Sequence, residues 1–168
     1  MTDQDLYTAT LPVFRHYLAR IAGLVAKLPT PEALQNRLAP DTFTSGEHLE
    51  TAQGFTLRTV FPLIGRPEPA LAPENGTAAA LVARGEAATT LLADITKADF
   101  EGASARRIRH TAGQAELEQT ATEFTTLYAM PNFFFHLTMG YATLRHAGLP
   151  LGKADFDGFH HYPGGFRF

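Results

Sequence analysis

The chain has 168 residues, of which 45% are hydrophobic and 18% are charged. This composition is typical of one folded domain with its own core and excludes a disordered chain. The formal net charge of −3 shows no basic excess, which argues against nucleic acid as the main partner. The sequence contains no cysteine, which excludes disulfides, a thiolate nucleophile and cysteine-ligated metal centres. Any metal would have to be bound by His, Asp, Glu or Asn.

No apolar run approaches the roughly 20 residues that a membrane span needs. Asp3 and Asp5 near the amino end are not typical of a signal peptide. We therefore expect a cytoplasmic protein without a membrane partner.

The first predicted helix runs from about Asp5 to Leu28, because apolar residues recur every three or four positions along it. Pro12 lies within this pattern and would start or kink the helix. Pro29 and Pro31 end it, since proline cannot continue the hydrogen-bond ladder. A short helical turn is expected from Glu32 to Leu38.

The second and third helices follow at clear boundaries. Thr44-Ser45-Gly46-Glu47 has the form of a capping box and predicts the start of the second helix. The apolar stripe of that helix extends to Ile64, and the prolines between Gly65 and Pro73 indicate a loop. A third helix, rich in alanine and leucine, is expected from about Gly76 to Thr96.

A hairpin and a last long helix are predicted next. Ala112-Gly113-Gln114 is typical of a tight turn between two short strands, Ile108–Thr111 and Ala115–Leu117. Thr120-Ala121-Thr122-Glu123 is a second capping box and opens a helix that is expected to end at Ala147. Pro131 should kink that helix.

Together these elements predict an all-α protein, an up-down four-helix bundle with a small β-hairpin between helices 3 and 4. We expect one bundle domain over residues 1–158. The remainder from Leu151 is rich in glycine and aromatic residues and is expected to be irregular. Residues 159–168 form an aromatic tail that should pack on the domain.

The strongest candidate site lies in the most aromatic stretch, Pro131-Asn132-Phe133-Phe134-Phe135-His136. Asn132 and His136 are four residues apart, so a helix places an amide and an imidazole on one face. Polar groups on an apolar face need a polar partner, a metal or a ligand. Histidine can act as a general base near neutral pH or as a metal ligand. A buried histidine that only fixes helix packing remains the alternative.

Two motifs of the sequence resemble a domain-of-unknown-function family within the DinB/YfiT-like four-helix-bundle superfamily. The resemblance covers about Leu6 to Gly158. The residues that carry it are Arg37-Leu38-Ala39-Pro40-Asp41-Thr42-Phe43, Pro131-Asn132-Phe133-Phe134-Phe135-His136, Tyr141, Leu144-Arg145-His146, Gly148, Gly152-Lys153 and Asp155-Phe156.

The resemblance implies a helical bundle, and relatives in the wider superfamily include metal-dependent enzymes, thiol transferases and dimers. Their metal site has three histidines, one on the second helix and two spaced i, i+4 on a later helix. This sequence departs from that pattern. The later pair is Asn132 and His136, Phe55 occupies the second-helix position, and His48 lies seven residues earlier on the same face.

Charged residues near the two motifs form a second group of candidates: Arg37, Asp41, Arg145, Lys153 and Asp155. Salt bridges that clamp the connecting loops to the bundle explain them better than direct substrate contact does. Phe133, Phe134 and Phe135 cannot all face one direction on a helix. One of them should face a neighbouring helix, a ligand pocket or a second subunit.

Three hypotheses remain open from the sequence. The first is a small-molecule-binding bundle protein with an apolar pocket, acting as an isomerase, lyase or transferase by acid–base chemistry if it is an enzyme. Its catalytic residues would be His136, Asn132 and Tyr141, and its substrate-binding residues Arg37, Asp41, Phe135 and Arg145. The second is a transferase or hydrolase that uses zinc or nickel bound by His136 and His48. The third is a non-catalytic dimerising module without a cofactor. In all three we expect a homodimer.

Overall fold

The computed structural model describes residues 1–163 and residue 166. Within these residues, four long helical stretches pack around an apolar core. The first three are α1 (Asp3–Ala26), α2 (Ser45–Leu63) and α3 (Ala78–Ala93). The predicted all-α bundle with a hairpin between the third and fourth helices is thereby confirmed.

The fourth helical stretch has three consecutive parts. A turn of α-helix, α4 (Ala121–Glu123), leads into a π-helical segment (Phe124–Ala129), and α5 (Met130–His146) follows it. Pro131 lies in the first turn of α5, directly after the π-helical segment. Proline cannot donate to the helical ladder, and a π-helical turn is one of the known accommodations of such a break.

The hairpin pairs β1 (Arg107–Ala112) with β2 (Ala115–Thr120) in antiparallel register. Arg107 lies opposite Thr120, where β2 passes directly into α4. The turn contains Gly113 with φ of 61°, a left-handed conformation that glycine adopts without a steric cost. Both strands are longer than the sequence pattern predicted.

The two predicted capping boxes begin α2 and α4. Thr44 caps α2 and Thr120 caps α4, in each case with the glutamate three residues later returning a hydrogen bond to the cap. α1 continues through Pro12, so the helix does not start there. The prediction for the segment after α5 was wrong in one respect: it contains a short helix, α6 (Lys153–Asp157), where irregular structure was expected.

The core lies between the four helical stretches and includes the aromatic side chains Phe14, Phe100, Phe124 and Phe133, all fully buried. α5 packs chiefly on α2, which places the first turn of α2 beside the middle of α5. This pairing positions the candidate site. None of the helices in the described residues is both long and apolar enough to cross a membrane.

The described part of the tail makes specific contacts near α1. The Phe159 ring stacks on His16, with 4.9 Å between ring centroids and 2° between the planes. His16 Nε2 lies 2.7 Å from the carbonyl oxygen of Asp157. The predicted packing of residues 164, 165, 167 and 168 lies outside the described residues.

Candidate functional site

The side chains of His48 on α2 and His136 on α5 meet between the two helices. Their Nδ1 atoms lie 3.0 Å apart, which is a hydrogen-bond distance. His48 is only 4% exposed, and its Nε2 atom is buried without a partner. His136 is half-buried. Two ring nitrogens bond only when one donates and the other accepts, so one proton lies between the two Nδ1 atoms.

The environment keeps both rings neutral at neutral pH. Burial, with smaller effects from His48 and Arg58, lowers the pKa of His136 to about 4. Burial also lowers the pKa of His48, although the carboxylate of Glu47 opposes that change. Neutral imidazoles are the form that hydrogen-bonds as one donor and one acceptor.

The capping box of α2 fixes the position of His48. The Glu47 amide donates to Thr44 Oγ1 at 3.1 Å, and the Thr44 amide donates to Glu47 Oε2 at 2.7 Å. The His48 amide completes the first turn by donating to the Thr44 carbonyl at 3.0 Å. His48 therefore lies in a first helical turn that a capping box stabilises.

Phe55, two turns along α2 from His48, covers the ring of His136. The two ring centroids are 5.9 Å apart and the planes differ by 23°. The guanidinium carbon of Arg58 lies 5.2 Å from the centroid of the Phe55 ring, a cation–π contact. The position that aligns with the superfamily's second-helix histidine thus carries a phenyl ring stacked on His136.

A small pocket opens beside the histidine pair. Its volume is about 220 Å³, and it is lined by Asp41, Thr42, Phe43, His48, Phe135, His136 and Met139. Phe43 is 48% exposed and Phe135 is 55% exposed, so two large apolar side chains form walls that solvent reaches. An apolar pocket with one converging polar pair is the usual form of a small-molecule site.

Asn132 shares the helical face of His136 but has a local partner. Its Nδ2 donates to the carbonyl oxygen of Tyr128 at 2.7 Å, one turn earlier. Tyr128 lies within the π-helical segment just before Pro131. The Asn132 amide therefore supplies a hydrogen-bond donor to a carbonyl group of the π-helical segment. It also lies one turn from His136.

Tyr141 lies apart from the histidine pair. It is five residues beyond His136, which turns its side chain by about 140° around the helix. Its ring packs on Phe156 of α6 with 5.3 Å between centroids. The structure therefore does not bring Tyr141 to the pocket.

The charged candidates are divided between two places. Asp41 is exposed at the pocket beside His136. Arg37 donates to the Thr42 carbonyl and lies 3.4 Å from Glu47 Oε2, so it supports the loop that carries Phe43. Arg145 lies nine residues beyond His136, on the opposite face of α5.

The side chains near His48 and His136 supply too few ligands for a zinc or nickel site. Among the described residues, no group of three or more His, Asp or Glu side chains could hold a metal ion. His48 and His136 offer two nitrogens, whereas zinc sites use three or four protein ligands. With Phe55 in the third position, the described residues do not fit the predicted metal site.

Three pocket residues were not predicted as site residues: Thr42, Phe43 and Met139. Met139 is three residues after His136, and this spacing on α5 was a usable signal. Phe43 follows a loop whose path the sequence does not define. Its place against His48, 5.4 Å between ring centroids, depends on tertiary structure.

The family described as Domain of unknown function (DUF1993) matches residues 6–157, which is most of the chain. The chain belongs to this family. A comparison with curated proteins gave no match. The DUF1993 chain is also similar to a solved structure, a DinB family member protein from Shewanella denitrificans, with a TM-score of 0.84 and 28% sequence identity. That match covers 96% of this chain and 97% of the other, so the DUF1993 bundle has a DinB-like fold.

Proposed function

We propose that this protein binds a small, largely apolar molecule in the pocket beside His48 and His136. The observation that carries the proposal is the 3.0 Å contact between two desolvated histidines at the edge of an apolar pocket. Burial of two imidazoles is costly unless their polar atoms are used. The pair leaves both Nε2 atoms without a hydrogen bond inside the described part of the chain, and the Nε2 atom of His48 is buried.

The shared proton determines what the pocket presents to a ligand. If His48 donates through Nδ1, then His136 carries its own proton on Nε2 and acts as a donor. If His136 donates through Nδ1, its Nε2 is a bare acceptor. The two forms interconvert when the proton crosses the 3.0 Å contact, His136 Nε2 releases its own proton and His48 Nε2 takes one up. The pair can therefore satisfy a ligand hydroxyl in either role.

If the protein is an enzyme, we propose that the histidine pair moves a proton to and from the ligand. His136 Nε2 takes a proton from the ligand while its Nδ1 proton passes to His48 Nδ1, so that the positive charge lies on His48, where the Glu47 carboxylate favours it, until the proton is returned. Because the pKa of His136 is lowered to about 4, the ring is available as an acceptor throughout the neutral range. Isomerisation, elimination or group transfer would each use such a step. Asn132, one turn before His136 on α5, is the residue proposed to orient the substrate.

Three matched probes test the binding proposal: toluene, which is apolar only, acetophenone, which adds an acceptor, and phenol, which adds a hydroxyl. We expect phenol or acetophenone to bind more tightly than toluene, by roughly two- to tenfold, the value of one hydrogen bond. The preference should disappear in His136→Phe, which keeps an aromatic ring. His146→Phe, exposed on the last turn of α5, is the control.

Other outcomes would replace the proposal. If wild type and His136→Phe preferred phenol or acetophenone over toluene equally, His136 would have only a structural role, as the hypothesis of a dimerising module states. Elemental analysis separates the metal alternative: near-stoichiometric zinc or nickel lost in both His48→Ala and His136→Ala would establish a two-histidine metal site completed by other ligands. A homodimer is part of the proposal, and its mass in solution is measured by light scattering.

A further inference from the structure

A second and larger cleft lies at the other end of α5. Its volume is about 710 Å³, and it lies between the end of α5, the start of α6 and the tail. Arg145 in the last turn of α5 and Lys153 at the first position of α6 both line it. Nothing in the pocket beside His136 is shared with this cleft.

Among the described residues, neither cation in the cleft has a charged partner. Arg145 and Lys153 are exposed, and neither makes a salt bridge or side-chain hydrogen bond within residues 1–163 and 166. The sequence favoured a salt-bridge network for these residues, and the network that forms is a different one. Asp155 is bound by Lys27 at 2.5 Å.

The two carboxylates of α6, the helix that begins at the cleft, are already engaged. Asp155 also accepts from the Gly152 amide at 2.7 Å, and Asp157 pairs with the ring of His160. Hydrogen bonds and positive charge lower the pKa of both carboxyls against the effect of burial. Asp155 and Asp157 are therefore bound within α6 and its neighbours, and neither pairs with Arg145 or Lys153.

Apolar groups also line the cleft. Leu151, which is 4% exposed, forms the buried part of the cleft. Tyr162 and Phe166 also line it, and their rings stack with 4.5 Å between centroids and 6° between planes. Aliphatic and aromatic side chains in a cleft favour a ligand with an apolar body.

We propose that this cleft is a binding site for an anionic small molecule with an apolar body, whose phosphate or carboxylate group is held by Arg145 and Lys153. The guanidinium of arginine is the group best suited to grip either anion with two parallel hydrogen bonds, and lysine adds a point charge. The site is separate from the histidine pocket. Arg145 is nine residues from His136, which is about 13 Å along the helix and half a turn away.

Three anions test the proposal by calorimetry on the full chain at low salt: phenyl phosphate, benzoate and inorganic phosphate. We expect phenyl phosphate or benzoate to bind more tightly than inorganic phosphate, because the latter lacks the ring. Which of the first two binds better distinguishes a phosphorylated ligand from a carboxylic acid. Arg145→Gln and Lys153→Gln should each weaken binding by roughly two- to fivefold, as exposed charge contacts do.

Lys97→Gln is the matched control, since it removes one exposed cation far from the cleft. Thermal melts of all three variants establish that they fold. No binding of any of the three anions, or equal weakening by Lys97→Gln, overturns the proposal. His136→Phe should leave anion binding unchanged, so that failure of the pocket proposal and failure of this one are read separately.

Discussion

A Cβ atom on Gly140 would lie 2.8 Å from Leu49 Cδ2, closer than carbon atoms approach in folded proteins. Gly140 is one turn after His136 on α5, and Leu49 directly follows His48 on α2. The missing side chain therefore allows the two helices to approach closely where the two histidines meet. The His48–His136 contact depends on a residue that touches neither imidazole.

Gly140→Ala should consequently destabilise the protein and separate the histidines. Overpacking costs about 1–3 kcal/mol, offset in part by the helix propensity of alanine. Chemical denaturation measures the loss, and proton NMR titration should show the pKa of His136 rising toward its ordinary value.

Gly23→Ala provides the control for this variant. Gly23 is exposed on α1, and an added Cβ would have no neighbour within 4 Å. It should stabilise the chain by about 0.5–1 kcal/mol through helix propensity alone. If Gly140→Ala behaved in the same way, the close approach of α2 and α5 would not constrain the site.

The histidine pair should make stability depend on pH in mildly acidic solution. The ordinary histidine pKa is 6.5, and the pKa of folded His136 is about 4. Between these values the unfolded chain binds more protons, so the free energy of unfolding falls as the pH drops through this window. The full difference is on the order of 3 kcal/mol, and above about pH 7 the group has no effect.

Urea unfolding of wild type and His136→Phe at pH 7.5, 5.5 and 4.5 checks this expectation. Other groups titrate in both proteins, so the difference between them isolates the histidine. The variant should lose less stability on acidification than wild type. Parallel pH profiles would show that His136 is protonated as easily in the folded chain as in the unfolded one.

Glu50 should be essential for the loop that precedes α3. It is fully buried, and its Oε2 accepts the amides of Asn75 at 3.1 Å and Gly76 at 2.9 Å. Burial raises the pKa of this carboxyl in spite of those two bonds. Glu50→Ala leaves the amides of Asn75 and buried Gly76 unpaired, at a cost of about 2 kcal/mol.

Hydrogen exchange gives a local measure of the same change. The amides of Asn75 and Gly76 should exchange faster in Glu50→Ala, while Glu86→Ala on the exposed face of α3 should change neither their exchange nor the melting temperature. Unchanged protection of the two amides would show that the loop is held by other contacts.

Loss of the α2 cap should affect ligand binding, and loss of the α3 cap should not. Thr44→Ala removes the capping box next to His48 and should cost about 1 kcal/mol, with recovery in Thr44→Ser. Thr77→Ala removes the corresponding cap of α3, where Thr77 Oγ1 accepts the Ala80 amide at 3.2 Å, and should cost a similar amount. Phenol titration of both variants compares them: weaker binding is expected only for Thr44→Ala.

The helices and their starts could be predicted because they depend on local chemistry. Periodic apolar residues and the hydroxyl–glutamate pairs at Thr44 and Thr120 act within one or two turns. The fold class followed from them. The interruption near Pro131 was also predictable, but its form, a π-helical segment upstream of the proline, depends on how the ladder rearranges in the packed helix.

The site was harder to predict than the helices, since it depends on which faces of α2 and α5 meet. The sequence named both His48 and His136 as metal-ligand candidates without indicating that their Nδ1 atoms would bond directly. Helical geometry alone could have separated Tyr141 and Arg145 from His136, because spacings of five and nine residues point away from it. The position of Phe43 could not be obtained in this way, as it lies on a loop.

The π-helical segment Phe124–Ala129 has a consequence for how this chain tolerates changes in length. Such a segment accommodates one residue more than an α-helical turn, so everything after it is rotated by about 100° relative to a helix without it. Deleting a single residue there would swing His136 and Gly140 together away from α2, although neither was altered. The number of residues in this segment thus determines the direction in which His136 and Gly140 face around α5. An insertion or deletion there would turn both residues at once, which no single substitution in the pocket does.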